Sequence, residues 1–250
     1  MIPKIMHQIW LGDAPLHPLM VAWHEKWKVL NPDWTVVLWR DDSSDSSSLR
    51  CDRFGNVPID NALLNFVNQA CHLSQRSNIW RYFIMHQFGG LYIDTDMEPL
   101  KPMMRLLSTG IWAADAFTAK RTGTSFPSIS GGTTCLRYEC AFFGAMPKHR
   151  WTADLLANLG KRNPSETLSM GTEYFTEVTL LHPEVTILPA HLVLFQPPLD
   201  WTAYKREAHV PSSPDDNGRA GPATVAKHHW SSAWYPSGFK ALKDPARSTT

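Results

Sequence analysis

A chain of 250 residues that is 43% hydrophobic with a net charge of +1 can bury one sizeable core, and a single domain over residues 1–250 is the expected organisation. No run of Lys or Arg offers a nucleic-acid footprint, no stretch of eighteen apolar residues offers a membrane span, and "MIPKIMHQIWLGD" is too interrupted by Pro3, Lys4 and Gln8 to be a signal peptide. The cysteines Cys51, Cys71, Cys135 and Cys140 have neither CxxC spacing nor the density of a disulfide-stapled domain, which fits a reducing, cytoplasmic setting.

"IPKIMHQIW" reads as a first buried strand. Pro18 then opens a helix in which Leu19, Trp23, Trp27 and Leu30 recur at helical spacing, and "WTVVLW" follows as a second strand. Strand, helix and strand with such short connections predict a parallel βαβ unit and an α/β fold. "DDSSDSSSL" reads as a polar loop, and a second helix starts near Asp60 and carries Leu63, Leu64 and Val67 inward. A third helix puts Trp80, Phe83, Ile84 and Phe88 on one stripe and Asn78 with Arg81 on another, and Gly89 and Gly90 end it. "LYID" enters the sheet as a wholly apolar run. Further on, "GIWAA", "CAFFGAM", "VTILP" and "HLVLF" read as strands, and "TADLLANL" and "GTEYFTEVTLL" as helices. Residues 205–223 read as a mobile loop leading into "TVAKHHWSSAW".

Asp94 ends a buried strand and Asp96 lies just past it, in the region where open α/β sheets bind their ligands. Two carboxylates so close repel unless a cation or a proton sits between them, and oxygen ligands suit Mn²⁺ or Mg²⁺. DxD triplets also occur by chance, as a turn cap beside a solvated acid. The amphipathic helix, double glycine, apolar strand and acid pair in series are a far rarer pattern. His228 and His229 end a candidate strand and can complete such a site from a distance; the plainer alternative is surface histidine beside a packing Trp230. Trp10 and Trp234 can stack on a base or shield a diphosphate, although most of the eleven tryptophans must be structural. No GxGxxG, P-loop or GxSxG occurs, which argues against dinucleotide oxidoreductases, P-loop kinases and α/β-hydrolases.

Taken in order, "IPKIMHQIWLG", "NPDWTVVLW", "SNIWRYFIMHQFGGLYIDTDMEPLKP", "FFGAMPKH", "GTEYFT" and "HHWSSAW" resemble the DXD-containing glycosyltransferases of family 32. That family includes yeast initiating mannosyltransferases and capsular-polysaccharide and inositolphosphoceramide glycosyltransferases, and it is distantly similar to the glucosylating domains of clostridial toxins. The resemblance implies a GT-A (Rossmann-like) fold with a central, mostly parallel sheet flanked by helices. It also implies a UDP- or GDP-sugar donor and transfer with retention to a glycan, glycolipid or protein hydroxyl, in polysaccharide or glycoconjugate synthesis.

On that basis Asp94 and Asp96 form the metal and ribose-diphosphate motif, with His228 and His229 finishing the metal site. Trp10 stands near the nucleobase, Trp234 closes over the diphosphate within a segment at 224–240, and Arg81, Asn78 and Tyr92 complete the donor site. Asn78 departs from the family's Ser-Asp pair and Ala233 from a serine before the final Trp, so a charge and a hydroxyl are missing. A covalent route would need a carboxylate beneath the anomeric carbon, for which Glu139 and Glu173 are the candidates. Two rival readings stand beside this one: a catalytically silent nucleotide-sugar or glycan-binding module, and a metal-dependent phosphohydrolase. A lipid-linked acceptor would bring peripheral membrane contact, though no basic amphipathic stretch argues for it.

Overall fold

The computed structural model describes residues 1–42, 45–70, 72–104, 116–120, 138–164, 169–189, 192–195 and 223–229. Strand β1 (Ile5–Trp10) leads through α1 (Pro18–Leu30) to β2 (Thr35–Asp42), which pairs with β1 in parallel from Ile5 opposite Thr35 to Trp10 opposite Arg40. The expected βαβ unit is present, with Pro18 in the first helical turn, where its fixed φ suits the helix.

Strands β3 (Asp45–Cys51) and β4 (Gly55–Pro58) extend the sheet antiparallel beyond β2. This corrects the polar loop expected over "DDSSDSSSL", of which only residues 43–44 lie outside the described set. Leu49 and Cys51 are buried while Arg50 between them is exposed, so the ladder and two inward side chains outweigh the turn preference of Ser and Asp.

Helix α2 (Asn61–Gln69) starts on Asp60, whose Oδ1 accepts from the Leu63 N–H at 2.9 Å. Helix α3 (Leu73–Phe88) follows, then β5 (Gly90–Ile93) and β6 (Met97–Pro99). The remaining elements are β7 (Ala116–Lys120), β8 (Tyr138–Ala145), α4 (Arg150–Ala157), a 3-10 turn (Leu159–Lys161), α5 (Thr172–Leu180), β9 (Thr186–Leu188), β10 (Val193–Phe195) and β11 (Ala226–His228). The strand expected at "GIWAA", the loop at 205–223 apart from Ala223, and Trp234 fall outside the described residues. No helix among the described residues is long and apolar enough to cross a membrane.

The main sheet runs β4-β3-β2-β1-β5-β8-β7-β9, and a smaller one runs β10-β11-β6. The main sheet is mixed rather than mostly parallel: β1 pairs in parallel with β2 and β5, and β7 with β9, while the other neighbours are antiparallel. Alternation along β5 and β8 divides the core. Tyr92 and Phe143 join the cluster under α2 to α5, whereas Leu91, Ile93 and Phe142 join the one that holds Trp27 of α1 and the smaller sheet.

The junction between α3 and β5 leaves no room for side chains. Gly89 and Gly90 have φ of 62° and 98°, and a Cβ on Gly90 would meet the Ile5 carbonyl oxygen at 2.5 Å. The start of β5 is thereby pressed against β1 and the strand begins in a fixed register.

His7 secures the same junction. Its Nδ1 accepts from the Trp39 indole N–H at 3.0 Å, so its Nε2 donates to the Gly89 carbonyl at 2.9 Å, and Phe54 and Phe88 flank the ring. Burial drives its pKa down to about 4, the Gly89 bond opposing only in part. A folded-state pKa below the unfolded one means that the unfolded chain binds the extra proton. The associated stability is therefore complete above pH ~6.5 and is lost as pH falls toward 4, ~3 kcal/mol in all. Urea unfolding of His7→Gln, which keeps a donor for Gly89, is expected to show a shallower fall in stability between pH 7 and 4.5 than the unaltered chain. Equal slopes would refute this account of His7.

Candidate functional site

Strand β5 lies where parallel pairing with β1 on one side meets antiparallel pairing with β8 on the other. Just past its end the chain turns. The Asp94 N–H donates to the Ala141 carbonyl at 3.0 Å, and the Met97 N–H donates back to the Asp94 carbonyl at 3.1 Å. From the N-terminal side, the Gln8 amide donates to that same Asp94 carbonyl at 3.3 Å, and His24 Nδ1 meets Gln8 Oε1 at 2.6 Å.

Three side chains converge beyond this turn. One oxygen each from Asp94 and Asp96 and one nitrogen of His228 lie within 4.8 Å of one another. His228 Nε2 stands 3.1 Å from Asp96 Oδ1 and 3.9 Å from Asp94 Oδ2. The other oxygen of Asp94 is engaged: the Tyr92 hydroxyl donates to Oδ1 at 2.7 Å, and Arg81 Nη2 lies 3.2 Å from it. Two carboxylate oxygens and an imidazole nitrogen at this spacing form a donor set for a divalent metal that tolerates mixed oxygen and nitrogen ligation.

Electrostatics agree with that geometry. Burial works against charging the His228 imidazole, but the charge and hydrogen bond of Asp96, with the charges of Asp94 and Glu139, outweigh it, and its pKa lies above the ordinary value. The same negative charge would favour a cation bound between these groups. Arg81 is buried, yet Asp94 beside it overcomes the cost of burial and keeps the guanidinium charged. It also donates to the Cys140 carbonyl at 2.8 Å and the Ser77 hydroxyl at 3.4 Å, and it stacks 4.5 Å over the Tyr92 ring. Burial pushes the Cys140 thiol up to about 11, so it stays protonated.

The remaining predicted residues are placed as follows. Asn78 is buried one helical turn before Arg81, and its amide makes no hydrogen bond among the described residues. Trp10 is buried among Leu16, Met20 and Trp23 and donates to the Ala14 carbonyl at 2.7 Å. His229 stands apart from the convergent trio: its Nε2 is 2.9 Å from Glu98 Oε2, and its ring stacks on Trp23. Hydrogen bonding from His229 holds the Glu98 carboxyl below its usual range. Glu139 is buried on β8, close enough for its charge to act on His228, and Glu173 lies in the first turn of α5.

Sequence reasoning passed over Gln8, His24, Trp23 and Glu98. The one available signal was a polar Gln8 inside the apolar run of β1, which a buried strand tolerates only when the amide is hydrogen-bonded.

Residues 20–112 match a family described as "Glycosyltransferase sugar-binding region containing DXD motif". Inositol phosphoceramide mannosyltransferase 1 of Schizosaccharomyces pombe (strain 972 / ATCC 24843) is 27% identical over an alignment of 206 positions that covers 76% of this chain and 57% of that protein. The chain thus spans little more than half the length of that relative. Among solved structures, the galactosyltransferase LgtC in complex with donor and acceptor sugar analogs is similar with a TM-score of 0.50 at 11% identity, over 95% of this chain and 94% of that one. The PaToxG glycosyltransferase is similar with a TM-score of 0.50 at 15% identity, over 73% of this chain and 70% of the other. At such identities the likeness carries the fold.

Proposed function

We propose that this chain, which carries a DXD sugar-binding region of glycosyltransferases on a GT-A fold, transfers a hexose from a nucleotide-sugar donor to an acceptor hydroxyl. The observation that carries the reading is the convergence of Asp94, Asp96 and His228 at the end of β5. They would hold Mn²⁺ or Mg²⁺, which when bound supplies Lewis-acid neutralisation of a diphosphate leaving group.

The chain's own residues have separate tasks. Tyr92 and Arg81 take Asp94 Oδ1, so that Oδ2 is the oxygen turned toward His228. Asn78 offers sugar hydroxyls an amide that makes no hydrogen bond among the described residues, and Trp234 offers an indole to the diphosphate. Trp10 reaches a base only once its neighbours Leu16, Met20 and Trp23 move, because its ring is buried among them. A mannosyl donor and a glycolipid acceptor are the first pair to test, on the likeness to the inositol phosphoceramide enzyme. Transfer is taken as retaining, on the motif resemblance alone. Asn78 in place of an expected carboxylate favours one second reading, a domain that binds nucleotide-sugars without turnover.

Donor hydrolysis separates the two. The chain is incubated with Mn²⁺ and a panel of UDP- and GDP-sugars, and released nucleotide is followed with and without chelator. Metal-dependent release from one donor supports the transferase. Donor binding without release from any donor supports the silent module, and absence of binding overturns both.

A further inference from the structure

His228 is the last residue of β11, and the backbone bond from His229 to Asp96 carries the strand's alternation one residue further, so His228 reaches the acid pair while its neighbour faces the other way. That neighbour is tied by three contacts to two other parts of the chain, α1 and the stretch from Asp96 to Glu98. The His229 ring stacks on Trp23 of α1, with centroids 4.7 Å apart and planes inclined by 16°. Its Nε2 meets Glu98 Oε2 on β6 at 2.9 Å, and its backbone N–H donates to the Asp96 carbonyl at 3.2 Å. Strand register agrees, since β11 runs antiparallel to β6 with His228 opposite Met97 and Lys227 opposite Glu98. The Met97 carbonyl is itself held by the Trp27 indole N–H at 3.1 Å, so one face of α1 grips both the acid turn and the histidine-bearing strand.

From these contacts we infer that Trp23, Glu98 and His229 are positioning residues: they lock the residue after His228 and so deliver His228 to Asp94 and Asp96. His229 is then an anchor rather than a metal ligand. The inference rests on the metal-holding role proposed above for Asp94, Asp96 and His228. It gives a function to a carboxylate–imidazole pair that would otherwise be a partly exposed ion pair of little consequence, with side-chain exposures of 28% and 23%.

Two measurements on the whole chain test it. Mn²⁺ affinity is read from the electron paramagnetic resonance of the free ion, and amide deuterium exchange over residues 223–229 is read without metal. Removal of an outer-shell partner typically costs ten- to a hundredfold in metal affinity, so Glu98→Ala and His229→Ala are each expected to weaken Mn²⁺ binding about tenfold. The double variant should weaken it no further than the worse single one, because both break one contact. Exchange should quicken in all three, and Glu98→Gln, which still accepts a hydrogen bond, should recover most of both losses.

Unchanged exchange in Glu98→Ala and His229→Ala overturns the inference. It is also overturned if His229→Ala loses Mn²⁺ while Glu98→Ala changes neither readout, since His229 would then be a ligand. Should the unaltered chain take up no Mn²⁺, the metal-holding reading fails by itself. The exchange arm then decides the anchor, quickened exchange supporting it and unchanged exchange overturning it. Glu98 is partly exposed, so its removal leaves the fold in place even where His229→Ala does not.

Discussion

Asp96→Asn is expected to abolish measurable Mn²⁺ uptake and to lower metal-dependent donor turnover by about a hundred- to a thousandfold. The amide preserves shape and still accepts from His228, whose Nε2 is 3.1 Å away, but it brings no charge to balance a cation. Loss of a preorganised electrostatic contact to a reacting group typically costs ~3–4 kcal/mol, which sets that range. Stability should hardly move, because the substitution relieves repulsion from Asp94. Thermal unfolding separates loss of function from loss of fold, and turnover undiminished in Asp96→Asn would refute the metal-centred reading.

Arg81→Leu is expected to be the most damaging single change to stability. Arg81 is 4% exposed, and its guanidinium bridges Asp94 and the Cys140 carbonyl and lies over Tyr92. Its removal leaves Asp94 Oδ1 with the neutral Tyr92 hydroxyl as its remaining holder and takes a charged donor from the Cys140 carbonyl, an effect of ~3–5 kcal/mol. For a chain of this size that corresponds to a fall of about 10 °C in the unfolding midpoint. Arg81→Lys keeps the charge without the planar fork and should fall between the two. Mn²⁺ affinity should drop in both, since Asp94 Oδ1 loses one of its two holders. A midpoint within 2–3 °C of the unaltered chain, about 1 kcal/mol, would show that Arg81 is not part of the structural frame.

The parts of this fold that could be read from the chain are those written in short-range periodicity. Leu19, Trp23 and Trp27 gave α1, the Asp60 cap gave α2, and the double glycine marked the end of α3. What escaped was decided by partners far along the chain. Ser47 to Arg50 carry loop-forming composition and became strand because β2 supplied a ladder. Two strands of the smaller sheet were legible, at "HLVLF" and before His228, but β6 and the pairing were not, because the strands are three residues each and come from three distant segments. The site divides the same way: Asp94 and Asp96 stand out in sequence, and His228 was within reach because it sits in a motif. The neighbouring imidazoles at 228 and 229 look equivalent in sequence, and only strand alternation and the placement of Glu98 and Trp23 tell them apart.

The distance along the chain between Asp96 and His228, more than half its length, also orders events during synthesis. At about 5–20 residues per second, the acid pair leaves the ribosome several seconds or more before the histidine exists. In that interval Tyr92 and Arg81, both encoded beside Asp94, can already shield one carboxylate, while Asp96 has no partner from β11. Ion capture at full affinity thus becomes a late event of biogenesis, and a nascent chain stalled before residue 228 should hold the metal more weakly than the finished one while most of its main sheet is already assembled.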